Sequence, residues 1–195
     1  MAASKENTAE RIIEAGRQLI MRRGYNGFSY ADVAEAVDIR KASIHHHFPA
    51  KTDLAIAVVR QSRDRFDADV AALRASGADP VTQLRAYVGY WERCIADDSA
   101  PFCVAGMLGA ELPTLPDDVA GEVRAHFEDV ESWLESVLES GSKAHQLQFD
   151  GTAKSEAATL VSLVYGAMLA ARAYGTARLF GDVTHAAIAQ LVRPQ

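Results

Sequence analysis

Apolar side chains recur every three or four residues along nearly the whole chain, which is the period of an amphipathic α-helix. In the first segment this period is carried by Ile12, Ile13, Gly16, Leu19 and Ile20. We expect Asn7 or Thr8 to cap this helix and Gly24 to end it. No segment carries a convincing alternation of a β-strand, so the pattern predicts an all-α protein of about nine helices.

Two short helices are predicted next. Ser29 begins SYADVAEAV with Asp32 three residues later, the spacing of a capping box in which Asp replaces the usual Glu. A tight turn at 37–39 leads to a third helix from about Lys41 to His47. A longer helix followed by two short ones is the helix-turn-helix arrangement, whose second short helix, RKASIHHHF here, enters the DNA major groove. Within it, Ile44 and Phe48 are expected to face a small core.

The rest of the chain is predicted to form further helices. They are expected from Thr52 to Ser76, from Pro80 behind an Asp79 cap, as a short helix from Ala100–Pro101, after LPTLPDD as far as Gly141–Ser142, from about Lys154 to Tyr174, and from about Val183 to Val192.

Charge is distributed unevenly along a chain of ordinary globular composition. Hydrophobic residues make up 49% and charged residues 24% of the sequence. Up to Arg65 there are eleven Lys and Arg against eight acidic residues, whereas the remainder holds nine basic and eighteen acidic residues. A basic N-terminal third ahead of an acidic body suggests that only this third meets an anionic partner, although charge can drift this far by chance.

No secretory signal is expected, since MAASKENTAER lacks an apolar run after its first charge. Its longest uncharged stretch, Ala157–Ala171, has 15 residues, fewer than the roughly 20 that span a bilayer, and is interpreted as a buried helix. Two cysteines, Cys94 and Cys103, in such a chain argue against a structural disulfide. A cytoplasmic protein is therefore expected.

The stretch FSYADVAEAVDIRKASIHHHFPAKTDL resembles the DNA-binding region of TetR/AcrR-family transcriptional regulators, whose spacing residues 8–54 follow throughout. The landmarks are Gly24, Phe28–Ser29, Val33–Ala34, Phe48–Pro49 and the run from Lys51 to Leu54. The family usually has Gly where Asp38 stands and Tyr where His45 and His47 stand. Asp tolerates a left-handed backbone, so the turn is expected to survive.

The resemblance implies a set of DNA contacts. Family members often use the equivalents of Lys41, Ser43 and His45 near bases or adjacent phosphates, and those of His47 and Lys51 on phosphates. We place Ser29, Tyr30 and Arg40 at the same surface. Arg40 and Lys41 have the chemistry to read guanine.

The three consecutive histidines His45–His47 raise the alternative of a metal site. Adjacent residues on a helix point about 100° apart, whereas helical metal ligands need i, i+4 spacing. No cysteine or acidic residue has that spacing from them, unless another chain supplies one. We therefore expect contact with phosphate, and neither a metal nor another cofactor.

The remaining chain resembles the ligand-binding and dimerisation body of the family in outline. An apolar stripe on the last two predicted helices suits a four-helix interface between two copies: Leu160, Leu163, Val164, Ala167, Met168, Ala171, Ala187, Ile188 and Leu191. An intramolecular core would bury the same stripe; twofold half-site geometry favours the homodimer. The expected organisation is a DNA-binding domain at residues 1–50, connected by a helix from about residue 51 to an effector-binding and dimerisation domain at residues 51–195.

A candidate effector pocket is drawn from aromatic, sulfur-bearing and histidine side chains of the body: Trp91, Cys94, Phe102, Cys103, Met107, His126 and Trp133. Aromatic walls with few polar groups suit a small organic ligand, although each residue could equally be ordinary core. Cys103 is expected in the first turn after Pro101, where unpaired backbone N–H groups favour a thiolate that could sense electrophiles or oxidants. A buried, unreactive cysteine is the alternative.

Enzyme motifs are absent: the sequence contains no GxGxxG, GxxxxGK, GxSxG, HExxH or CxxC, and no histidine has a suitable spacing from either cysteine. We therefore predict a homodimeric, ligand-responsive DNA-binding transcriptional regulator rather than an enzyme. It is expected to be a repressor that releases a palindromic operator on binding a small molecule or on cysteine modification. The alternatives are an all-helical enzyme or small-molecule carrier without DNA binding, and a metalloregulator that uses the histidine run.

Overall fold

The structure, a computed structural model, describes residues 2–194, with side chains from residue 8 onward. Within that range the chain forms nine α-helices and a 3₁₀ helix, and its only extended pairing is an isolated bridge between Leu147 and Val192. The elements are α1 (Ala2–Arg23), α2 (Tyr30–Val37), α3 (Lys41–His47), α4 (Lys51–Ala75), α5 (Pro80–Ala96), α6 (Val104–Ala110), the 3₁₀ helix (Leu112–Thr114), α7 (Asp117–Lys143), α8 (Ala153–Tyr174) and α9 (Arg178–Leu191). The predicted all-α fold is confirmed.

The chain packs as two compact units, each built from separated stretches of sequence. The first contains the described residues up to Arg65 together with Cys103–His126, so it holds α1 to α3, the first part of α4, α6 and the beginning of α7. The second contains Phe66–Phe102 and the described residues from Phe127 onward. The functional division near residue 50 stays a prediction.

The core of the first unit lies where the apolar faces of its helices meet. α1 contacts both α2 and α6, and α2 contacts α3. Ile12 and Ile20 of α1, Val33 of α2 and Ile44 of α3 have no exposed surface. Burial of one such side chain stabilises the fold by roughly 1.5–3 kcal/mol, so tertiary packing, more than helix propensity, holds the two short helices in place.

The second unit is organised around α9, which packs against both α5 and α8. Phe180 of α9 is completely buried, and Leu84 and Val88 of α5 are nearly so. Thr184 is also buried, but its hydroxyl donates to the carbonyl of Phe180 at 2.8 Å, so the hydrogen-bond donor of this side chain is satisfied.

The predicted dimer stripe on α8 and α9 is mostly intramolecular core. Seven of its nine residues are buried within the single chain: Leu160, Val164, Ala167, Met168, Ala171, Ile188 and Leu191. Only Leu163 and Ala187 are partly exposed. The assignment of the other seven to an interface between copies is therefore corrected.

A different face of α8 is exposed and carries mainly small and apolar residues. Ser162, Gly166, Leu169 and Ala173 follow one another at helical spacing and are exposed, Leu169 to 60%. α8 is long and apolar enough to cross a membrane, but core helices of water-soluble proteins have the same length and composition. We call these four residues the α8 outer face.

Two helices begin earlier than predicted. α1 begins at Ala2 instead of at a cap on Asn7 or Thr8, because the preceding residues include Ala, Lys and Glu, which favour a helix, and no Gly or Pro. α9 begins at Arg178 rather than near Val183. Gly181 resembles a helix breaker in sequence, but it is buried inside the helix, where a Cβ would collide with the side chain of Glu92.

Close packing and a cap also explain errors around α6 and α7. α7 runs through the predicted end at Gly141–Ser142 as far as Lys143. Gly141 lies inside the helix against Leu147, which leaves no room for a Cβ, so glycine serves close packing there. α6 begins at Val104, later than the predicted start at Ala100–Pro101. Cys103 is its N-cap and not a residue of its first turn.

Candidate nucleic-acid interface and effector residues

The joint between α2 and α3 is a left-handed residue. Asp38, the C-cap of α2, has φ 54° and ψ 54°, and its N–H is directed at the carbonyls of Ala34 and Glu35. Because Asp adopts this conformation more readily than most residues, the predicted turn forms without glycine. Arg11 of α1 donates from Nη2 to the carbonyl of Val37 at 2.6 Å and thereby anchors the end of α2.

The outward face of α3 carries the predicted DNA contacts. Ile44 and Phe48 are buried beneath the helix, as expected. Four predicted contact residues are exposed: Arg40, Lys41, Ser43 and His45. Arg40 is the N-cap of α3 and its side chain makes no capping hydrogen bond. The beginning of α3 therefore presents two cations to the solvent.

The histidines of α3 have different surroundings. His45 Nδ1 lies 3.1 Å from the carbonyl oxygen of Pro49, and its ring meets Tyr30 edge-on with centroids 4.8 Å apart. If Nδ1 donates to that carbonyl, Nε2 remains for another partner. His47 is half-buried, with its ring centroid 5.6 Å from that of His46 and 6.5 Å from that of Phe48. Among residues 8–194, whose side chains the structure describes, no group of three or more His, Cys, Asp or Glu side chains could hold a metal ion.

Ser29 forms the predicted capping box at the start of α2. Its hydroxyl accepts from the N–H of Ala31 at 3.2 Å and donates to Asp32 Oδ2 at 2.7 Å, while Asp32 accepts the N–H of Ser29 at 2.7 Å. The hydrogen bonds from the Ser29 hydroxyl and N–H, with Arg23 nearby, hold the pKa of the Asp32 carboxyl below its usual value. Ser29 is exposed, but its hydroxyl is engaged in the cap.

Tyr30 is not the exposed DNA-contact residue that was predicted. Its side chain is only 6% exposed, and its hydroxyl is directed at the carbonyls of Phe48 and Ala50, at 2.8 and 2.5 Å. Burial, reinforced by the negative charge of Asp53, raises the pKa of Tyr30 to about 12. Tyr30 instead ties the beginning of α2 to the link between α3 and α4.

Lys51 is only partly available to a phosphate. Its ammonium donates to the carbonyl of Phe28 and lies over the rings of Phe28 and Tyr25, 4.2 and 4.6 Å from their centroids. Burial lowers the pKa of Lys51, and the charges of Glu111 and Asp32 oppose that effect. The side chain is half-buried. Its predicted role on phosphate is therefore combined with a structural one.

Three predicted effector residues belong to the first unit. Cys103 and His126 are buried and Met107 is half-buried. Cys103 Sγ lies 3.8 Å from His126 Nε2, although the two residues are 23 positions apart. The thiol and the imidazole are therefore within sulfur hydrogen-bond distance of each other, inside the buried part of the first unit. Sequence inspection missed this pair, because no motif or short spacing connects a cysteine on one helix with a histidine on another.

The other predicted effector residues belong to the second unit. Trp91 and Cys94 are half-buried on α5, and Phe102 and Trp133 are buried. The indole of Trp133 meets the rings of Phe66 and Tyr87, with centroids 5.6 and 5.3 Å apart. Its Nε1 is buried without a hydrogen-bond partner, which is unusual for a buried indole.

A narrow apolar cleft lies within the second unit, beside this aromatic cluster. It is lined by Leu84, Tyr87, Val88, Leu134, Leu160, Leu163, Val164, Thr184 and Ile188. None of the seven predicted effector residues lines the cleft. Tyr87 connects the two features, because it contacts Trp133 on one side and lines the cleft itself.

Both parts of the chain match models of known families. Residues 12–58 match bacterial regulatory proteins of the tetR family, and residues 80–187 match the tetracyclin repressor-like C-terminal domain. The first match contains the helix-turn-helix. The second contains every residue that lines the cleft except Ile188, which lies one position beyond the matched range.

Proteins of similar sequence and structure are also named as transcriptional regulators. A TetR-family transcriptional regulator from Agrobacterium tumefaciens is 47% identical, with a TM-score of 0.94 over 97% of this chain and 100% of that one. A TetR regulator from Legionella pneumophila is 30% identical, with a TM-score of 0.85 over 94% and 96% of the two chains. The transcriptional repressor NemR of Escherichia coli K12 is 24% identical across 87% of this chain and 86% of its own. The chain therefore belongs to the TetR family of helix-turn-helix transcriptional regulators.

Proposed function

We propose that this TetR-family regulator is a homodimeric repressor that binds a near-palindromic operator and releases it when a small molecule or a cysteine modification alters its body. The observation that carries the proposal is the outward face of α3, where Arg40, Lys41, Ser43 and His45 are exposed while Ile44 and Phe48 anchor the helix from beneath. Exposed cations on a short helix packed in this way are suited to the major groove. NemR, which is named as a repressor, supports the direction of regulation.

Within the interface, we assign base reading to the beginning of α3 and phosphate contact to its flanks. Arg40 and Lys41 have the donors that pair with O6 and N7 of guanine. Ser43 and His45 lie beyond them on the same exposed face, close enough in sequence to reach adjacent bases or phosphates. His47 and Lys51, both half-buried, are assigned to phosphates.

Dimerisation is assigned to the α8 outer face. Ser162, Gly166, Leu169 and Ala173 form an exposed strip of small and apolar side chains, and Gly166 has open space beyond its Cα. A second copy related by a twofold axis would cover this strip and place two α3 helices in successive major grooves about 34–36 Å apart. Residues 1–50 would then read DNA, and residues 51–195 would bind the effector and dimerise, in the cytoplasm.

The effector is proposed to be a small, mainly apolar molecule bound within the second unit. The apolar cleft beside Tyr87 supplies a hydrophobic wall, and the unpartnered indole N–H of Trp133 supplies a donor for a carbonyl or similar acceptor. An effector that binds one body conformation more tightly shifts the population and lowers DNA affinity by the coupling free energy.

Cysteine modification is a second route to release, supported by the Cys103–His126 pair. Replacing Cys103 with serine removes the nucleophile but keeps its size. Cys103→Ser is expected to bind the operator normally and to keep binding it after treatment with iodoacetamide, whereas the wild type is released. Release of both proteins, or of neither, would leave Cys103 as a packing residue.

DNA binding itself can be tested with the DNA that flanks the gene. Fluorescence anisotropy at several salt concentrations should show tight binding that weakens steeply on a log–log plot, because bound phosphates release counterions. An unrelated duplex of equal length is the control. Equal affinity for both duplexes, or no binding at any salt concentration, would favour the enzyme or carrier alternative.

A further inference from the structure

The carboxylate of Glu111 connects the end of α6 to the end of α1. Glu111 is the C-cap of α6, and its Oε2 accepts the backbone N–H of Tyr25 at 2.5 Å. Its Oε1 lies 3.3 Å from the N–H of Asn26 and 3.4 Å from Asn26 Nδ2. Asn26 Nδ2 is also 3.2 Å from the hydroxyl of Thr114. One acidic side chain thus binds the loop that leads into the helix-turn-helix, 85 to 86 positions away in sequence.

The loop is shaped to admit this carboxylate. Gly24 has φ +74°, a conformation that disfavours any residue with a side chain. A Cβ at Gly24 would lie 2.5 Å from Glu111 Oε2, so glycine is needed for the approach as well as for the turn. A backbone in this conformation directs successive N–H groups towards an anion. Hydrogen bonds from these groups to a carboxylate are charge-assisted, and such bonds are stronger than those between neutral groups.

From this loop the contact extends to the candidate DNA surface. Tyr25, whose N–H Glu111 accepts, lies with its ring under the Lys51 ammonium and with its hydroxyl 3.4 Å from Thr52 Oγ1. Lys51 in turn donates to the carbonyl of Phe28, just ahead of the α2 capping box. Removing Glu111 would therefore free the loop that sets the position of α2 relative to α1.

The opposite end of α6 carries the thiol–imidazole pair. Cys103 is the N-cap of α6 and Glu111 its C-cap, so a seven-residue helix separates them by about 12 Å at 1.5 Å per residue. A helix this short moves as one body. A displacement of α6 at Cys103 would therefore reach Glu111 through a single short helix.

We propose that Glu111 is the positioning residue through which α6 sets the operator affinity of the helix-turn-helix. The inference rests on the proposed function, and it adds the residue that transmits a change in the body to the DNA-reading helices. Displacement of α6 breaks the contacts of Glu111 with Tyr25 and Asn26, the loop loses its anchor, and the fit of α3 to its half-site weakens.

The negative charge of Glu111 allows its positioning role to be distinguished from a general electrostatic effect on DNA binding. Removing an acidic residue near a DNA surface should strengthen binding by electrostatics alone, whereas loss of a positioning contact should weaken binding to the operator. The probe is a duplex that the wild-type protein selects from a random-sequence pool, compared with an unrelated duplex of equal length. Asp117→Asn, an exposed acidic residue of the same unit, is the matched charge control.

Glu111→Ala is expected to lose about tenfold in affinity for the selected duplex, the scale of a lost charge-assisted hydrogen bond, with affinity for the unrelated duplex unchanged or raised. Amide hydrogen exchange at Tyr25 and Asn26, measured without DNA, should accelerate in the same variant. Asp117→Asn should change neither the operator preference nor the exchange. Glu111→Gln keeps an acceptor oxygen and the side-chain size, so it should fold if Glu111→Ala does not, and should lose roughly threefold by the same reasoning.

The outcomes separate this inference from the proposed function. A wild-type protein that selects no duplex contradicts the proposed function and this proposal with it. A wild-type protein that selects a duplex, together with Glu111 variants that bind it as tightly, contradicts the proposal alone. Unchanged amide exchange at both Tyr25 and Asn26 would also overturn the proposal, because the positioning contact would then be absent in solution.

Discussion

The hydroxyl of Tyr30 shows how one atom changes the role of a residue. The predicted DNA contact is buried, and its hydroxyl interacts with the carbonyls of Phe48 and Ala50. The residue pattern around Tyr30 could not reveal this burial, because a tyrosine at the start of a helix can either expose its hydroxyl to a ligand or bury it in hydrogen bonds within the protein. Burial at this position depends on the path of the chain from α3 into α4.

Tyr30→Phe is expected to lower the free energy of unfolding by about 1–2 kcal/mol, because the buried carbonyl of Phe48 and the part-buried carbonyl of Ala50 lose their hydroxyl donor. The pKa of Tyr30 is raised to about 12 in the folded protein, against an ordinary value near 10. The corresponding stability is complete below about pH 10 and is lost as pH rises towards 12, because the unfolded chain releases the proton first. Urea unfolding at pH 8 and at pH 10.5 should therefore show a loss at the higher pH that Tyr30→Phe reduces; equal losses in both proteins would contradict this role.

Lys51 and Lys41 should separate stability from DNA binding. Lys51→Ala removes a hydrogen bond to Phe28 and two cation–π contacts, so we expect the free energy of unfolding to fall by about 1–2 kcal/mol and binding to all duplexes to weaken. Lys41 is exposed, so Lys41→Ala should leave stability within about 0.5 kcal/mol while it relaxes base preference. Urea unfolding without DNA, followed by titration with two duplexes, measures both. Identical effects of the two substitutions would contradict the assignment of Lys51 to stability and phosphate contact and of Lys41 to base contact.

At the scale of elements, local chemistry could be predicted and long-range packing could not. The capping box of Ser29 and Asp32, the left-handed Asp38 and the bounds of α3 follow from neighbouring residues, and all three are confirmed. Gly141 was expected to end α7, and the start of α9 was expected near Val183, but Gly141 and Gly181 both lie within helices, where their small size serves packing against Leu147 and Glu92. No local pattern distinguishes such glycines from helix breakers.

The candidate sites divide in the same way. The exposed face of α3 follows from its helical period once Ile44 is assigned to the core. The Cys103–His126 pair and the contact of Glu111 with Tyr25 join residues that are far apart in the chain, so they depend on tertiary structure. The stripe on α8 was recognised as apolar, but period alone could not decide which of two apolar faces is covered by the same chain.

The cap of α2 offers an element-scale prediction. Ser29→Ala removes the hydroxyl that accepts from Ala31 and donates to Asp32, so the free energy of unfolding should fall by about 1 kcal/mol. The pKa of Asp32 is lowered by the same hydrogen bonds, and its contribution, present above about pH 4, should disappear as pH falls further. Thermal unfolding at pH 7 and pH 3 measures both effects. Thr82→Ala, in the Asp79 cap of α5, is a control that should leave the acid dependence of the α2 cap intact.

At the scale of the whole molecule, the assembly depends on the α8 outer face. Leu169 is 60% exposed in a single chain, so Leu169→Arg should leave the monomer folded. In the proposed dimer it would bury a charge against a second copy, a cost of several kcal/mol. Sedimentation is expected to show monomers, and affinity for a palindromic duplex should fall towards that for a single half-site. Ala71→Arg, an exposed position on α4, is the control; a dimeric Leu169→Arg protein would move the interface elsewhere.

The discontinuity of the first unit bears on how the protein is made. Its helix-turn-helix emerges from the ribosome early, but Cys103–His126, which complete the unit, are synthesised some forty residues after Arg65. During that interval the faces of α1 and its following loop that will meet α6 and Glu111 have no native partner. Nascent chains stalled before residue 103 should therefore be more sensitive to protease in this region than chains stalled far enough beyond residue 126 for residues 103–126 to have left the ribosome. For the same reason, a DNA-binding fragment that ends at residue 65, fused to another protein, would lack residues 103–126, which complete the first unit.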